Sequence, residues 1–382
     1  MGFHEFSSPY DWSRIAAYKR TAKAAFGGMI DLSVGSPVDP VPDSVRKALA
    51  VAANDPNAYG YPATAGTADL RAAIAEWFSA TRNVDLQAIH ADVVPTVGSK
   101  EGVALMASLL HFGEDDVVVQ PKVSYPTYEI GTQLAGAQVL KVDDVADVAS
   151  WRNVPGVKAV WVNSPCNPTG EVYSAERMAD IVAAAREIGA VVLSDECYAL
   201  MQWRGATNSA DDDPLQSTPC ALRSDVCAGS AEGVLVLYSL SKQSNMAGYR
   251  TAFIAGDESL IASMSAYRKQ IGQIIPGPAQ AAMAAGLRDL ESVKVQHARY
   301  RERLGVLVSA LRAYGYCTDM PDGALYVWVR AKSGDCWTDM EQLAKIGIIA
   351  SPGEFYGAPE CLRFSATASD EAIASAAERL AR

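Results

Sequence analysis

The sequence predicts an α/β protein with a mostly parallel, seven-stranded sheet between helices and a smaller α+β unit beside it. Between residues 93 and 255, short apolar, β-branched runs alternate with amphipathic helical stretches. That is the pattern of strands buried on both faces and joined by crossover helices. After Pro276-Gly277-Pro278 it gives way to long Ala- and Arg-rich helices and a few short strands. A chain of 382 residues also exceeds what one hydrophobic core usually organises. The expected division is 1–45 as an N-terminal arm shared with the small unit, 46–276 as the large unit and 277–382 as the small one.

The elements follow in order. Residues up to about Tyr18 mix aromatic, polar and Pro residues without periodicity and read as an arm. Met29–Val34 is a short apolar strand. Pro42–Ala53 and Thr67–Arg82 repeat apolar residues at three and four and read as helices. Val93–Val97, Val117–Gln120, Val139–Val142, Val157–Val162, Val191–Ser194, Val234–Tyr238 and Thr251–Ala255 supply seven strands. Helices follow from Ser99 to about His111, over Pro126–Ala135, and over Ser174–Ile188 with Ser174 as its cap. The small unit reads as helices to about Tyr314, strands over Ala324–Val329, Ile348–Ser351 and Leu362–Ser365, and a helix over Asp370–Leu380. The polar stretch from Asn208 to Asp213 reads as a surface loop.

Composition narrows the function. A formal net charge of -11 repels nucleic-acid phosphates and anionic membranes, so neither is an expected partner. No apolar run approaches the roughly 18 residues of a membrane span, and no signal-peptide core opens the chain. Seven cysteines without a C-x-x-C pair suit reduced thiols in a cytoplasmic protein better than a disulfide framework or a metal site. No metal centre is expected. With four His, one of them His4 in the arm, a His-based site has few candidates.

In a sheet of this kind ligands bind beyond the carboxyl ends of the strands. Four such ends carry chemistry here. Gly98-Ser99-Lys100 opens a helix, whose first N–H groups form an anion site. Asn163-Ser164-Pro165-Cys166-Asn167-Pro168 brings amides. Asp195-Glu196-Cys197-Tyr198 brings a carboxylate and a phenol. Ser239-Leu240-Ser241-Lys242 brings an amine with two hydroxyls. Each piece alone is commonplace, as a helix cap, a turn or a solvated lysine. Cys166 and Cys197 read as small packing residues. Together the four ends match the needs of pyridoxal phosphate: a phosphate cradle, partners for the ring and an amine for the aldehyde. Ser239–Lys242 is also S-x-x-K, but the Lys-Thr-Gly and Ser-Asp-Asn companions of penicillin-recognising enzymes are absent.

The stretches LSVGSPVDPVP, GYPATAGTADLR, TVGSKEG, SYPTYE, NSPCNPTG, SDECY, SLSKQSNMAGYR and LRFSAT resemble the class I/II aminotransferases of pyridoxal-phosphate fold type I. The resemblance spans nearly the whole chain. It implies that Lys242 holds the cofactor's aldehyde and that Asp195 pairs with the pyridine nitrogen. It implies that Tyr198 and Asn167 bond the ring hydroxyl and that Tyr125 stacks on the ring. Ser99, Lys100, Ser239 and Arg250 would hold the phosphate, and Tyr61 would reach the phosphate of a neighbouring subunit in a homodimer. Arg363, with the Gly35 backbone and Asn167, would clamp the substrate carboxylate. The substrates implied are an amino acid and a 2-oxo acid. Within the family, GALYVW and GEFYG with the motifs above look like the actinobacterial succinyldiaminopimelate aminotransferases of lysine biosynthesis, which implies 2-oxoglutarate and glutamate as the second pair. Residues for a distal carboxylate stay open among Lys122, Arg268, Lys269, Tyr10 and Trp12. The alternatives are an aminotransferase for aspartate or a similar amino acid, a C–S lyase of the same fold, and a cofactor-binding regulator. The last usually carries an N-terminal DNA-binding domain, and only a short arm precedes the first strand here.

Overall fold

The computed structural model describes residues 11–56, 58–203 and 218–382. The loop expected over Asn208–Asp213, together with His4 and Tyr10, lies outside them. The strands are β1 (Ile30–Asp31), β2 (Ala91–Val97), β3 (Val117–Pro121), β4 (Gln138–Val142), β5 (Val157–Asn163), β6 (Val191–Asp195), β7 (Val234–Ser239), β8 (Thr251–Asp257), β9 (Tyr326–Arg330), β10 (Ile348–Ile349), β11 (Ser351–Pro352) and β12 (Cys361–Ser365). The helices are α1 (Ile15–Ala24), α2 (Asp43–Ala53), α3 (Ala68–Trp77), α4 (Ser99–Leu109), α5 (Thr127–Leu134), α6 (Ala175–Glu187), α7 (Leu240–Gln243), α8 (Glu258–Gln270), α9 (Gly277–Arg288), α10 (Leu290–Ala313), α11 (Cys336–Lys345) and α12 (Asp370–Leu380).

The seven expected strands form one sheet in the order β2-β8-β7-β6-β5-β3-β4. The pairings of β3, β4, β5, β6 and β7 with one another are parallel, and β8 alone runs against its neighbours β7 and β2. Strand β7 is buried at every position. Its alternate residues sort into two cores, as the pleat demands. Val234, Val236 and Tyr238 join one cluster with Val160, Val192 and Phe253. Leu235 and Leu237 join the other with Trp161, Leu193 and Ile254. Helices cover both faces, which is why these strands read as continuous apolar runs.

A second, three-stranded antiparallel sheet has the order β11-β12-β9, and β1 pairs with β10. Its core joins α1, α10, α11 and α12 through Ile15, Leu304, Leu343 and Ile373. Helix α9, expected at the start of the small unit, packs on α2 and α3 and puts Met283 and Leu287 into the large core.

Some elements depart from the reading of the sequence. The N-terminal stretch is helical from Ile15, not an irregular arm to Tyr18. Ile15, Tyr18 and Ala22 recur at helical spacing along α1 and pack on the small unit's core, a period that the sequence reading passed over. The helix expected over 67–82 stops at Trp77 and ends in a π-helical turn, Phe78–Arg82, closed by Asn83 in the left-handed region. Helices α8 and α11 were not foreseen, although Asp257 and Asp335 cap them. Ser174 caps α6 as expected, accepting from the Arg177 N–H.

An ion-pair network fastens the segment after β1 to α10. Buried Arg303 pairs with Asp39 at 2.7 Å and with Asp370 at 2.6 Å. Burial raises the Asp39 pKa, but hydrogen bonds from Arg303 and Gln296 outweigh it and hold the carboxyl below its ordinary value. A depressed carboxylate stabilises the fold above its unfolded pKa, near 3.9, and that contribution is lost as pH falls through the folded value. Arg303→Met should therefore cost about 2 kcal/mol at pH 7 and flatten the acid limb of stability below about pH 4. Denaturant unfolding across pH measures both. An unchanged acid limb would contradict the assignment.

Candidate active site

The carboxyl ends of β2, β5, β6 and β7 open onto one cavity of about 440 Å³, closed on the far side by residues of β9, β12 and the turn Gly353–Tyr356. That size suits a small ligand. Of the residues expected in the site, Gly35, Ser99, Lys100, Tyr125, Asn167, Asp195, Tyr198, Ser239, Lys242, Arg250 and Arg363 line it together. Tyr61 does not. Its ring is fully exposed on the surface.

The floor is anionic. Asp195 ends β6 and accepts from the Tyr128 hydroxyl at 2.8 Å and the Cys197 N–H at 3.1 Å. Burial pushes its pKa up, and those two donors pull it back only in part. A cationic group above Asp195 would complete it. The next residue, Glu196, faces away and forms a fully buried pair with Arg82 at 2.5 Å.

One end is built for an anion. Gly98 leads from β2 into α4, whose first N–H groups lack intrahelical acceptors. The Ser239 hydroxyl donates to that of Ser241 at 2.7 Å, and Arg250 adds a guanidinium whose backbone is left-handed at φ 56°. Gly98 has φ 79°, and a methyl group there would run into that guanidinium. Gly98→Ala should thus weaken binding of a phosphorylated cofactor by about tenfold or more. A titration of the cofactor-free protein would read it, and wild-type affinity would contradict the cradle.

An amine and a guanidinium line the same cavity. Lys242 follows β7 on α7, and its Nζ donates to the Gly35 carbonyl. Burial lowers its pKa despite the opposing pull of Tyr326, and burial so favours the neutral amine. Arg363 on β12 donates to Asn167 Oδ1 at 2.7 Å and to the Ser33 carbonyl at 2.8 Å. Its Nε is buried without a hydrogen-bond partner. Asn163 sets Asn167 in place: its Oδ1 accepts from the Asn167 N–H at 2.8 Å, and its Nδ2 donates to the Asp195 carbonyl at 2.9 Å.

This donor set fits pyridoxal phosphate: α4, Ser239, Ser241 and Arg250 for the phosphate, Asp195 for the ring nitrogen, and Lys242 for the aldehyde. Motif reading missed Tyr128, Tyr326 and Tyr356. Tyr128 lies one turn beyond Tyr125 in SYPTYE and stacks on Trp161 at 4.5 Å, so its helical spacing could have been noticed. Tyr326 and Tyr356 flank Arg363, with its Cζ 3.9 and 4.7 Å from their ring centroids. No local spacing reveals that meeting of distant strands.

The candidates for a distal carboxylate are mostly displaced from the cavity. Lys122 pairs with Asp143 at 2.8 Å, Arg268 is buried against Glu101 at 2.9 Å, and neither they nor Lys269 line it. Trp12 does, with its ring 5.0 Å from Phe355 at the rim.

The family profile described as "Aminotransferase class I and II" matches residues 27–380. A 4-dedimethylamino-4-oxo-anhydrotetracycline transaminase of Streptomyces rimosus is 40% identical over 373 residues, 97% of this chain and 98% of its own. A probable aminotransferase of Mycobacterium tuberculosis is 39% identical over 377 residues, 97% of this chain and 84% of its own. Among solved structures, a probable N-succinyldiaminopimelate aminotransferase from Thermus thermophilus superposes with a TM-score of 0.84 at 27% identity, covering 97% of this chain and 99% of that one.

Proposed function

The chain belongs to the class I and II aminotransferases, which depend on pyridoxal phosphate, and from that premise we propose that it moves an amino group from N-succinyl-L,L-diaminopimelate to 2-oxoglutarate. The observation that carries the amino-acid part is Arg363, buried and charged, with Nε unpartnered in the cavity that Lys242 also lines. A planar guanidinium matches a carboxylate in two parallel hydrogen bonds. The C–S lyase alternative gives way to the family match.

Pyridoxal phosphate supplies an aldehyde that takes up the amino group and a ring that accepts the electron pair left at Cα. The chain does the rest. Arg363 binds the α-carboxylate and so fixes Cα beside Lys242. The neutral amine of Lys242 would take the Cα proton and return it two atoms away, at the carbon that was the cofactor's aldehyde. Asp195 holds negative charge against the ring nitrogen. Tyr198 and Asn167 orient the ring hydroxyl, and Tyr125 covers the ring face. The succinyl tail leaves over the Trp12–Phe355 rim. The working form is a cytoplasmic homodimer in which exposed Tyr61 reaches the neighbouring subunit's phosphate.

The likeness to the Thermus thermophilus protein supports the succinylated donor. The 40% identity to the tetracycline-pathway transaminase favours a second reading, in which the acceptor is a polycyclic ketone. Glutamate formation from 2-oxoglutarate, measured with N-succinyl-L,L-diaminopimelate, L,L-diaminopimelate and aspartate as donors, decides between them. The proposal expects the succinylated donor to give a kcat/KM at least about tenfold above the others, a gap of about 1.4 kcal/mol. Equal or lower activity would discard that substrate. Turnover confined to glutamate with 4-dedimethylamino-4-oxo-anhydrotetracycline would install the second reading.

A further inference from the structure

Tyr326 stands between the cofactor side and the substrate side of the cavity. On the antiparallel pair β9–β12 it lies opposite Ser365, which places it diagonal to Arg363 on the same face. Its ring therefore sits against the guanidinium, 3.9 Å from centroid to Cζ. Its hydroxyl passes the clamp and shares a 2.7 Å hydrogen bond with the hydroxyl of Tyr198. Gly35 leaves room for it, since a methyl group there would overlap the Tyr326 oxygen. The side chain is 2% exposed, so this geometry is held on all sides.

We propose that Tyr326 is a positioning residue with two separable tasks: its hydroxyl makes Tyr198 a donor toward the cofactor ring, and its ring face fixes the plane of Arg363 for the substrate carboxylate. The proposal rests on the roles given above to Tyr198 and Arg363. A phenol has one proton to donate and two lone pairs. If Tyr198 accepts from Tyr326, its own proton is free for the ring hydroxyl. The geometry favours that direction. The Tyr326 ring lies against the Arg363 guanidinium, 3.9 Å from centroid to Cζ, and a cation on its face draws electron density from its hydroxyl and makes it the better donor.

The test uses the cofactor-loaded enzyme and two readouts: the pH midpoint of the bound cofactor's visible absorbance band, and the affinity for maleate, an unreactive dicarboxylate. Tyr326→Phe keeps the ring and removes the hydroxyl. It should raise the midpoint by about half a pH unit or more while changing maleate affinity less than about twofold. Tyr326→Leu removes both and should also weaken maleate about fivefold. Tyr198→Phe runs alongside. A midpoint that moves in Tyr198→Phe and stays fixed in Tyr326→Phe would overturn the proposal and leave the site reading intact. A midpoint fixed in both would remove Tyr198 from its role, and the proposal with it. Maleate weakened as much by Phe as by Leu would show that the two tasks are not separable.

Discussion

Lys242→Ala should cut amino transfer on the order of 10⁴-fold or more, because in the proposed reaction one amine both anchors the aldehyde and moves the Cα proton. The fold should survive. Lys242 Nζ makes its hydrogen bond to the Gly35 carbonyl at the cavity wall, where water can replace it, so stability should stay within about 1 kcal/mol of wild type. Steady-state turnover with denaturant unfolding measures the pair. Activity within tenfold of wild type would remove Lys242 from the chemistry. A large loss of stability would make the activity loss uninformative. The neutral-amine role also has a pH consequence: the Lys242 pKa is lowered by burial, so the free base becomes available at lower pH than for an exposed lysine.

Arg363→Lys should lower kcat/KM by about 100-fold, or about 2.7 kcal/mol, mainly through KM. Lysine keeps the charge but loses the fork that bonds Asn167 and Ser33 and aligns with a carboxylate. It also loses the flat stacking between Tyr326 and Tyr356. One cavity serves both half-reactions, so the loss should appear for the amino acid and the 2-oxo acid alike. Separate half-reaction kinetics read this. A defect in only one of them would place the other substrate's carboxylate elsewhere.

The large sheet was legible because its central strands are buried on both faces and so appear as β-branched apolar runs alternating with helices. The four strand ends were legible for the same reason: once the strands are placed, the next residues must face the cavity. Signals for α8 and α11 were present but passed over, as an Asp cap followed by Ile261, Met264 and Arg268, and by Trp337, Met340 and Leu343. Helix α1 carried its own signal in Ile15, Tyr18 and Ala22 at helical spacing, though its first residue follows a short 3-10 turn rather than a capping side chain. The tyrosines around Arg363 were illegible for a different reason. Their roles arise where β9, β12 and the Gly353–Tyr356 turn converge, and no local spacing encodes that meeting. The same holds for Arg268, a free-looking basic residue in sequence that is buried against Glu101.

The central claim is that Lys242 bears the cofactor at the meeting of four strand ends. Borohydride reduction of the cofactor-loaded protein, followed by proteolysis and mass spectrometry, tests it most directly. The account predicts a phosphopyridoxyl group on the peptide containing Lys242, lost in Lys242→Ala. A group fixed on another lysine, such as Lys100, or none at all in a protein that takes up the cofactor, would contradict it.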